Sequence, residues 1–220
     1  MTRVCTSADE AVEGIADGST VLVGGFGTAG MPFELIYALI RQGARDLTVV
    51  ANNAGNGDTG LAALLKAGRV RKVVCSFPRQ TDSWVFDELY RAGKIELELV
   101  PQGNLAERLR AAGAGIGGFY TRTGVGTLLA EGKETREIDG RTYVLEFPLA
   151  ADVALIKAHT ADTLGNLVYR KTARNFNPVM ATAATTTIAQ VRHVVEPGAL
   201  DPEAVVTPGI YVDRIVQVPS

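Results

Sequence analysis

The fold is decided by Val21-Leu22-Val23-Gly24-Gly25-Phe26-Gly27-Thr28-Ala29-Gly30-Met31-Pro32, in which an apolar run meets a burst of glycine. The apolar run Thr20–Val23 predicts a short buried strand. The glycines predict a turn so bare that backbone N–H groups can approach a ligand closely. Pro32 suits a first helical turn, and Phe33–Ile40 has helical apolar spacing before a stop at Gly43. A strand, a bare turn and a helix N-terminus together favour an anion-binding site.

The same glycines raise the alternative of a dinucleotide-binding fold. Gly25, Gly27 and Gly30 satisfy the pattern G-x-G-x-x-G between a strand and a helix. The next predicted strand, Leu47–Val50, runs into Ala51-Asn52-Asn53, whereas the dinucleotide motif requires an acidic residue there to hold the ribose. An NAD(P)-binding oxidoreductase therefore stays an alternative. So does a tight turn that serves only helix–strand packing.

Composition predicts an ordinary cytoplasmic globular protein. The 220 residues are 46% hydrophobic and 21% charged, and the net charge of −2 gives no indication of nucleic-acid or membrane binding. No apolar run approaches ~20 residues, and Met1–Cys5 lacks a signal-peptide core. No spacing suggests a metal site, and Cys75 lies in an apolar strand that predicts a buried thiol.

Strands alternate with helices up to about residue 113, which is typical of a parallel sheet covered by helices. A capping box at Ser7 predicts a first helix that continues over Ala11–Ile15. After residue 113 the pattern is richer in strands, and Asp139-Gly140 predicts a hairpin. The further predicted elements are helices at Leu61–Lys66, 82–92, Asn104–Ala112 and Met180–Ala184, and strands at Val70–Ser76, Lys94–Val100, Val153–Ala158, Leu167–Tyr169, Val191–Val195 and Ile210–Val218.

Three polar or glycine-rich turns follow predicted strands, namely Gly24–Gly30, Asn52–Asp58 and Gln102–Asn104. Ligands of such sheets bind beyond the carboxyl ends of the strands, so we expect these turns to cluster along one edge. The amides Asn52, Asn53 and Gln102 can donate hydrogen bonds to a carboxylate or a developing oxyanion. The alternative is that they only satisfy the backbone of their turns.

No nucleophile is evident in the sequence. There is no G-x-S-x-G elbow, and His159 and His193 stand alone. The cations Arg170, Lys171 and Arg174 either hold an anionic ligand or line a solvated or subunit face. The chain is therefore a binding module, or another polypeptide completes its active site.

Four segments carry a resemblance to a known family, the family I CoA-transferases. They are Asp17–Pro32, Val100–Arg108, Gly113–Thr121 and Gly165–Asn177, which together reach over most of the chain. The match is to the A (alpha) chain of the two-subunit enzymes. It implies a three-layer α/β/α domain over residues 1–220, with a largely parallel sheet and a β-rich second half.

The resemblance also implies a division of the chemistry between two chains. A glutamate of the B subunit is the nucleophile and carries CoA as a glutamyl thioester. The CoA-associated loop is then Gly24, Gly25, Phe26, Gly27, Thr28, Ala29 and Gly30. Gln102 contacts the nucleophilic carboxylate, with Asn52 and Asn53 beside it. The CoA thioester is a substrate, no cofactor is held permanently, and the assembly is an AB dimer or an A2B2 tetramer.

Two segments resemble those of members that move CoA from succinyl-CoA to 3-oxoadipate in aromatic catabolism, with acetoacetate as the alternative acceptor. These segments are Asn52–Gly57 and Ser76–Ser83. Arg79 in the second is a hypothetical partner for the far carboxylate of such an acid. Arg122 and Val125 depart from the family pattern, which leaves the choice of acceptor open.

Overall fold

Most of the chain forms strands and helices in the computed structural model, which describes residues 2–218. The strands are β1 (Arg3–Cys5), β2 (Thr20–Val23), β3 (Leu47–Asn53), β4 (Val70–Phe77), β5 (Glu96–Leu99), β6 (Phe119–Thr121), β7 (Thr135–Ile138), β8 (Arg141–Glu146), β9 (Ala151–Lys157), β10 (Thr160–Asp162), β11 (Leu167–Val168), β12 (Ala184–Val191), β13 (His193–Val195) and β14 (Arg214–Gln217). The helices are α1 (Ala8–Ala11), α2 (Phe33–Gln42), α3 (Leu61–Lys66), α4 (Trp84–Arg91), α5 (Gln102–Gly113) and α6 (Asn177–Ala181). No helix within residues 2–218 is both long and apolar enough to cross a bilayer.

The central sheet has eight strands in the order β1-β14-β12-β9-β2-β3-β4-β5, and every neighbouring pair is parallel. The predicted parallel sheet is confirmed, and it takes strands from both halves of the chain. Because all strands point the same way, their carboxyl ends share one edge.

Helices cover both faces of this sheet, because successive side chains of a strand point to opposite sides. Val21 and Val23 of β2 pack into a core with α1, α2, α3 and α4. Leu22, between them, packs on the other side with α5 and α6. The three-layer prediction is therefore confirmed.

Two small sheets complete the fold. One is β6-β8-β7, whose β7–β8 turn is Asp139-Gly140 with φ values of 51° and 69°. Positive φ at both turn residues is the geometry of the predicted two-residue hairpin. The other sheet is β11-β10-β13, and Ala161 and Leu167 from it lie in the α5–α6 core.

Several predicted boundaries were wrong. Helix α1 ends at Ala11 instead of continuing to Ile15, because Gly14 takes φ +82° and breaks the helical turn. Asn52 and Asn53 belong to β3 and not to the loop after it. The strand β1 was not predicted.

The region predicted as the helix Met180–Ala184 was also wrong in its limits. Helix α6 ends at Ala181, and Ala184 instead opens β12. The run Thr185-Thr186-Thr187-Ile188 is β-branched throughout and therefore favours a strand, although its hydroxyls weaken the apolar pattern. The predicted strand Val191–Val195 is divided between β12 and β13.

Candidate active site

The glycine-rich turn lies at the carboxyl end of β2. Phe26 and Ala29 close it by exchanging backbone hydrogen bonds of 3.0 and 3.2 Å. Gly27 lies at its tip with φ +60°. The side chain of Phe26 is 52% exposed. The tip therefore presents bare backbone and one aromatic ring to an incoming molecule.

The other glycines of this turn serve packing inside the protein. A Cβ added at Gly24 would overlap the Oδ1 atom of Asn177, and one at Gly30 would lie 2.6 Å from the carbonyl oxygen of Ala173. A Cβ at Gly25 would lie 3.2 Å from the backbone of Met31. The packing alternative thus accounts for three of the four glycines, and only Gly27 faces open space.

Asn177 holds the turn against the rest of the sheet edge. Its Nδ2 donates to the carbonyl oxygens of Gly30 (3.1 Å) and Ala173 (2.8 Å). Its Oδ1 accepts from the backbone N–H of Lys157 at 2.9 Å. Asn175 adds a bond from its Nδ2 to the carbonyl oxygen of Ala29 at 2.9 Å. The segment that contains both asparagines therefore fixes the position of the turn.

Asn52 and Gln102 meet at the carboxyl edge of the sheet. Asn52 lies near the end of β3, and Gln102 opens α5 directly after Pro101. The Oδ1 atom of Asn52 accepts from Nε2 of Gln102 at 2.8 Å and from Oγ of Ser76 at 2.9 Å. With Oδ1 engaged twice, the amide N–H groups of Asn52 have no partner within residues 2–218 and are left to serve a ligand.

Asn53 stands apart from this network. Its side chain is buried on the opposite face of β3, and its Oδ1 accepts from the backbone N–H of Gly55 at 2.9 Å. This contact shapes the turn after the strand. Asn53 does not line the cleft described next.

The three predicted turns converge on one open cleft of ≈ 910 Å³. Its lining is Phe26, Asn52, Asn56, Ser76, Phe77, Arg79, Gln80, Thr81 and Gln102. The expected clustering is therefore confirmed. The sequence did not indicate Ser76, Asn56 or Gln80, although Ser76 stands in the neighbouring strand β4 at its carboxyl end.

The cleft holds neutral donors and one cation but, as residues 2–218 form it, no carboxylate, imidazole or thiol. Cys75 precedes Ser76 but is fully buried, and burial raises the pKa of its thiol to about 12. Such a thiol is inert as a nucleophile at neutral pH. Arg79 is paired with Asp87 at 2.7 Å through its Nε atom.

The isolation expected for the two histidines was wrong. His159 and His193 follow the adjacent strands β9 and β12, and their rings lie edge to face with centroids 5.4 Å apart. They stand at a second cavity at the same edge of the sheet, which His159 lines with Arg170 and Lys171.

Fold and site together define a class, an α/β protein that offers a donor-lined cleft and leaves the reacting group to another molecule. Residues 5–218 match the family model described as coenzyme A transferase. The chain therefore belongs to the coenzyme A transferase family, as its motifs predicted.

Two relatives are particularly similar. The chain is 74% identical over 212 residues to the A subunit of 3-oxoadipate CoA-transferase from Pseudomonas putida, covering 96% of this chain and 92% of that one. It is 52% identical over 216 residues to the A subunit of a probable succinyl-CoA:3-ketoacid coenzyme A transferase from Bacillus subtilis (strain 168), covering 98% and 90%. Both relatives are named as one chain of a two-chain enzyme.

A solved structure has the same fold. The acyl-CoA transferase from Escherichia coli O157:H7 in its thioester complex with CoA matches with a TM-score of 0.85 and 27% identity. The match covers 99% of this chain and 47% of that one, so this chain spans about half the length of that enzyme.

Proposed function

We propose that this chain is the A subunit of a heteromeric CoA-transferase that moves CoA from succinyl-CoA to a 3-oxo acid. The observation that carries the proposal is the cleft in which Asn52, Ser76 and Gln102 form a donor network beside no nucleophile from residues 2–218. A glutamate of the B subunit would enter this cleft. It would take the acyl group as a mixed anhydride, then hold CoA as a thioester, which divides a hard transfer into easier steps.

The residues of this chain would then bind and stabilise. Gln102 and Asn52 would donate to the oxygen that becomes negative when the thioester or anhydride carbonyl is attacked. Asn53 would support them by shaping the turn after β3. The loop Gly24–Gly30 would lie against CoA, with Gly27 giving the closest backbone approach.

The acceptor we propose is 3-oxoadipate, within aromatic catabolism, because the relative from Pseudomonas putida is named for that acid. Acetoacetate is the alternative, since the relative from Bacillus subtilis is named for a 3-ketoacid. We further propose a single domain over residues 1–220, a cytoplasmic AB or A2B2 assembly, and no permanently held cofactor.

Reconstitution tests the proposal. The purified chain should transfer no CoA alone and should bind no NAD(P)H, whereas adding a B subunit should give turnover of succinyl-CoA with 3-oxoadipate. Activity of the isolated chain, or an acyl adduct on one of its own glutamates, would contradict the division of chemistry. Comparing 3-oxoadipate with acetoacetate in the same assay selects the acceptor.

Replacing Gln102 tests the donor network within that assembly. The Gln102→Ala variant should lose about 10²–10³ in kcat with little change in KM, because the lost donor acts mainly in the transition state. Glu107→Gln, at an exposed site on the same helix, is the matched control and should keep full turnover. Equal kcat values for Gln102→Ala and wild type would refute the assigned role.

Arg79 is proposed to hold the far carboxylate of the acceptor. Its Nε is paired with Asp87, while its terminal nitrogens lie at the cleft without a partner within residues 2–218. Arg79→Ala should raise KM for 3-oxoadipate by about tenfold and leave KM for acetoacetate unchanged, since acetoacetate lacks the second carboxylate. An unchanged KM for 3-oxoadipate would remove this role.

A further inference from the structure

A second cavity, of ≈ 330 Å³, lies at the carboxyl ends of β9 and β12. Four cations line it, namely Lys157, Arg170, Lys171 and Arg192. Within residues 2–218, none of the four has a carboxylate within 4 Å, although eleven ion pairs form elsewhere in that part of the chain. A chain of net charge −2 thus gathers unpaired positive charge at one concave site.

A buried amide faces the same cavity. Gln190 is only 4% exposed, and its Oε1 accepts from the backbone N–H groups of Glu34 (3.0 Å) and Leu35 (3.4 Å). That use of Oε1 leaves Nε2, which has no partner within residues 2–218, at a site the cavity reaches. A buried donor without a partner is costly unless something accepts from it.

We propose that this cavity is a binding site for the phosphate of an organic ligand. Guanidinium groups match phosphate oxygens with paired N–H donors, and ammonium groups add charge. Four cations exceed what one carboxylate balances, whereas a phosphate or diphosphate carries two or more charges. The small concave shape, floored by Ala158 and Val191, suits a compact ligand better than a flat protein surface.

The phosphate has two possible sources, CoA itself or a separate phosphorylated ligand. A shallow depression lined by Phe26 and Lys171 lies between the cavity and the amide-lined cleft, since Lys171 also lines the cavity and Phe26 also lines the cleft. One elongated molecule can therefore reach both sites. A separate ligand would occupy the cavity alone.

The test measures binding of inorganic pyrophosphate by calorimetry to the full chain assembled with its B subunit. Arg170→Gln/Arg192→Gln should bind at least about tenfold more weakly than wild type. Arg45→Gln, the matched control, removes an exposed arginine just before β3, at the opposite edge of the sheet, and should bind like wild type. Neither cavity arginine makes a side-chain hydrogen bond within residues 2–218, so the double variant should fold. If it does not, Arg192→Gln and Arg192→Lys replace it, and only the lysine should retain binding.

Equal affinity in all variants would overturn the proposal. Binding to the isolated chain but not to the assembly would also overturn it, and would favour an acidic surface of the partner as the occupant. If CoA is the source, 3′-dephospho-CoA should bind more weakly than CoA to wild type and equally to the double variant. If the ligand is separate, pyrophosphate and CoA should bind without competition. Neither measurement needs turnover, so failure of the transferase proposal would be seen separately.

His159 provides a second readout. Burial lowers the pKa of its imidazole, and the charges of His193, Arg170 and Arg192 lower it further, with Lys157 and Lys171 also lining the cavity. A bound phosphate opposes these charges. The pKa of His159, followed by NMR, should therefore rise on saturation with pyrophosphate, and an unchanged value would contradict binding at this place.

Discussion

At the scale of single residues, Asn177 does more than any cleft residue to set the site. It is fully buried, and its amide joins the turn after β2 to the end of β9. This contact requires glycine at position 24, because no space remains there for a side chain. The bare turn predicted from sequence therefore has two origins, packing at Gly24 and ligand access at Gly27.

Substitution of two glycines separates packing from propensity. Gly24→Ala should lower the free energy of unfolding by about 1–3 kcal/mol, because its Cβ overlaps Asn177. Gly103→Ala, within α5 where a Cβ meets nothing within 4 Å, should be neutral or stabilising by up to about 1 kcal/mol. Urea unfolding of both variants checks this, and equal effects would show that the overlap is not limiting.

At the scale of elements, β12 and α2 depend on one another although more than 140 residues separate them. Helix α2 begins after Pro32 without a side-chain cap of its own. The buried Gln190 of β12 accepts from two of its first backbone N–H groups instead. Sequence patterns place caps in the residues next to a helix, so this cap was not predictable.

Replacing that amide should expose the dependence. Gln190→Leu leaves two N–H groups of α2 without an acceptor and should lower the free energy of unfolding by about 1–3 kcal/mol. Gln217→Leu, at an exposed site on β14, is the matched control and should change it by less than about 0.5 kcal/mol. Thermal unfolding measures both. Similar values for the two variants would refute the capping role.

At the scale of the whole molecule, one carboxylate ties the far side of the sheet to the second helical layer. Glu98 of β5 contacts Lys72 of β4 at 2.6 Å and Arg108 of α5 at 3.3 Å. Burial alone would raise its pKa, but the hydrogen bonds and charges of the two cations outweigh burial and lower it. A lowered pKa in the folded state means that ionised Glu98 stabilises the fold.

The stabilisation from Glu98 should depend on pH. It is fully present above the ordinary glutamate pKa and is lost as the pH falls through the lowered pKa of the folded state. Because Glu98 is 37% exposed, Glu98→Gln should cost only about 0.5–1 kcal/mol at pH 7 and nothing near about pH 2. Its neighbour Glu96, on the same strand and more exposed, is the control. Unfolding measured across this range would contradict the assignment if the two variants behaved alike.

The sequence by itself determined the order of strands and helices in the first half, the glycine turn, and the family. These depend on local periodicity and on contiguous motifs. It also proposed Asn52 and Gln102 but could not separate Asn52 from Asn53, since facing the cleft or the core is decided by the pleat of β3.

Only the tertiary structure decided the contacts on which the site depends. Asn52 and Gln102 are 50 residues apart, and Asn177 is 147 residues from Gly30. His159 and His193 meet because β9 and β12 are neighbours in the sheet but not in the chain. Local preferences fix each element separately, whereas these meetings follow from parallel strands whose carboxyl ends share one edge.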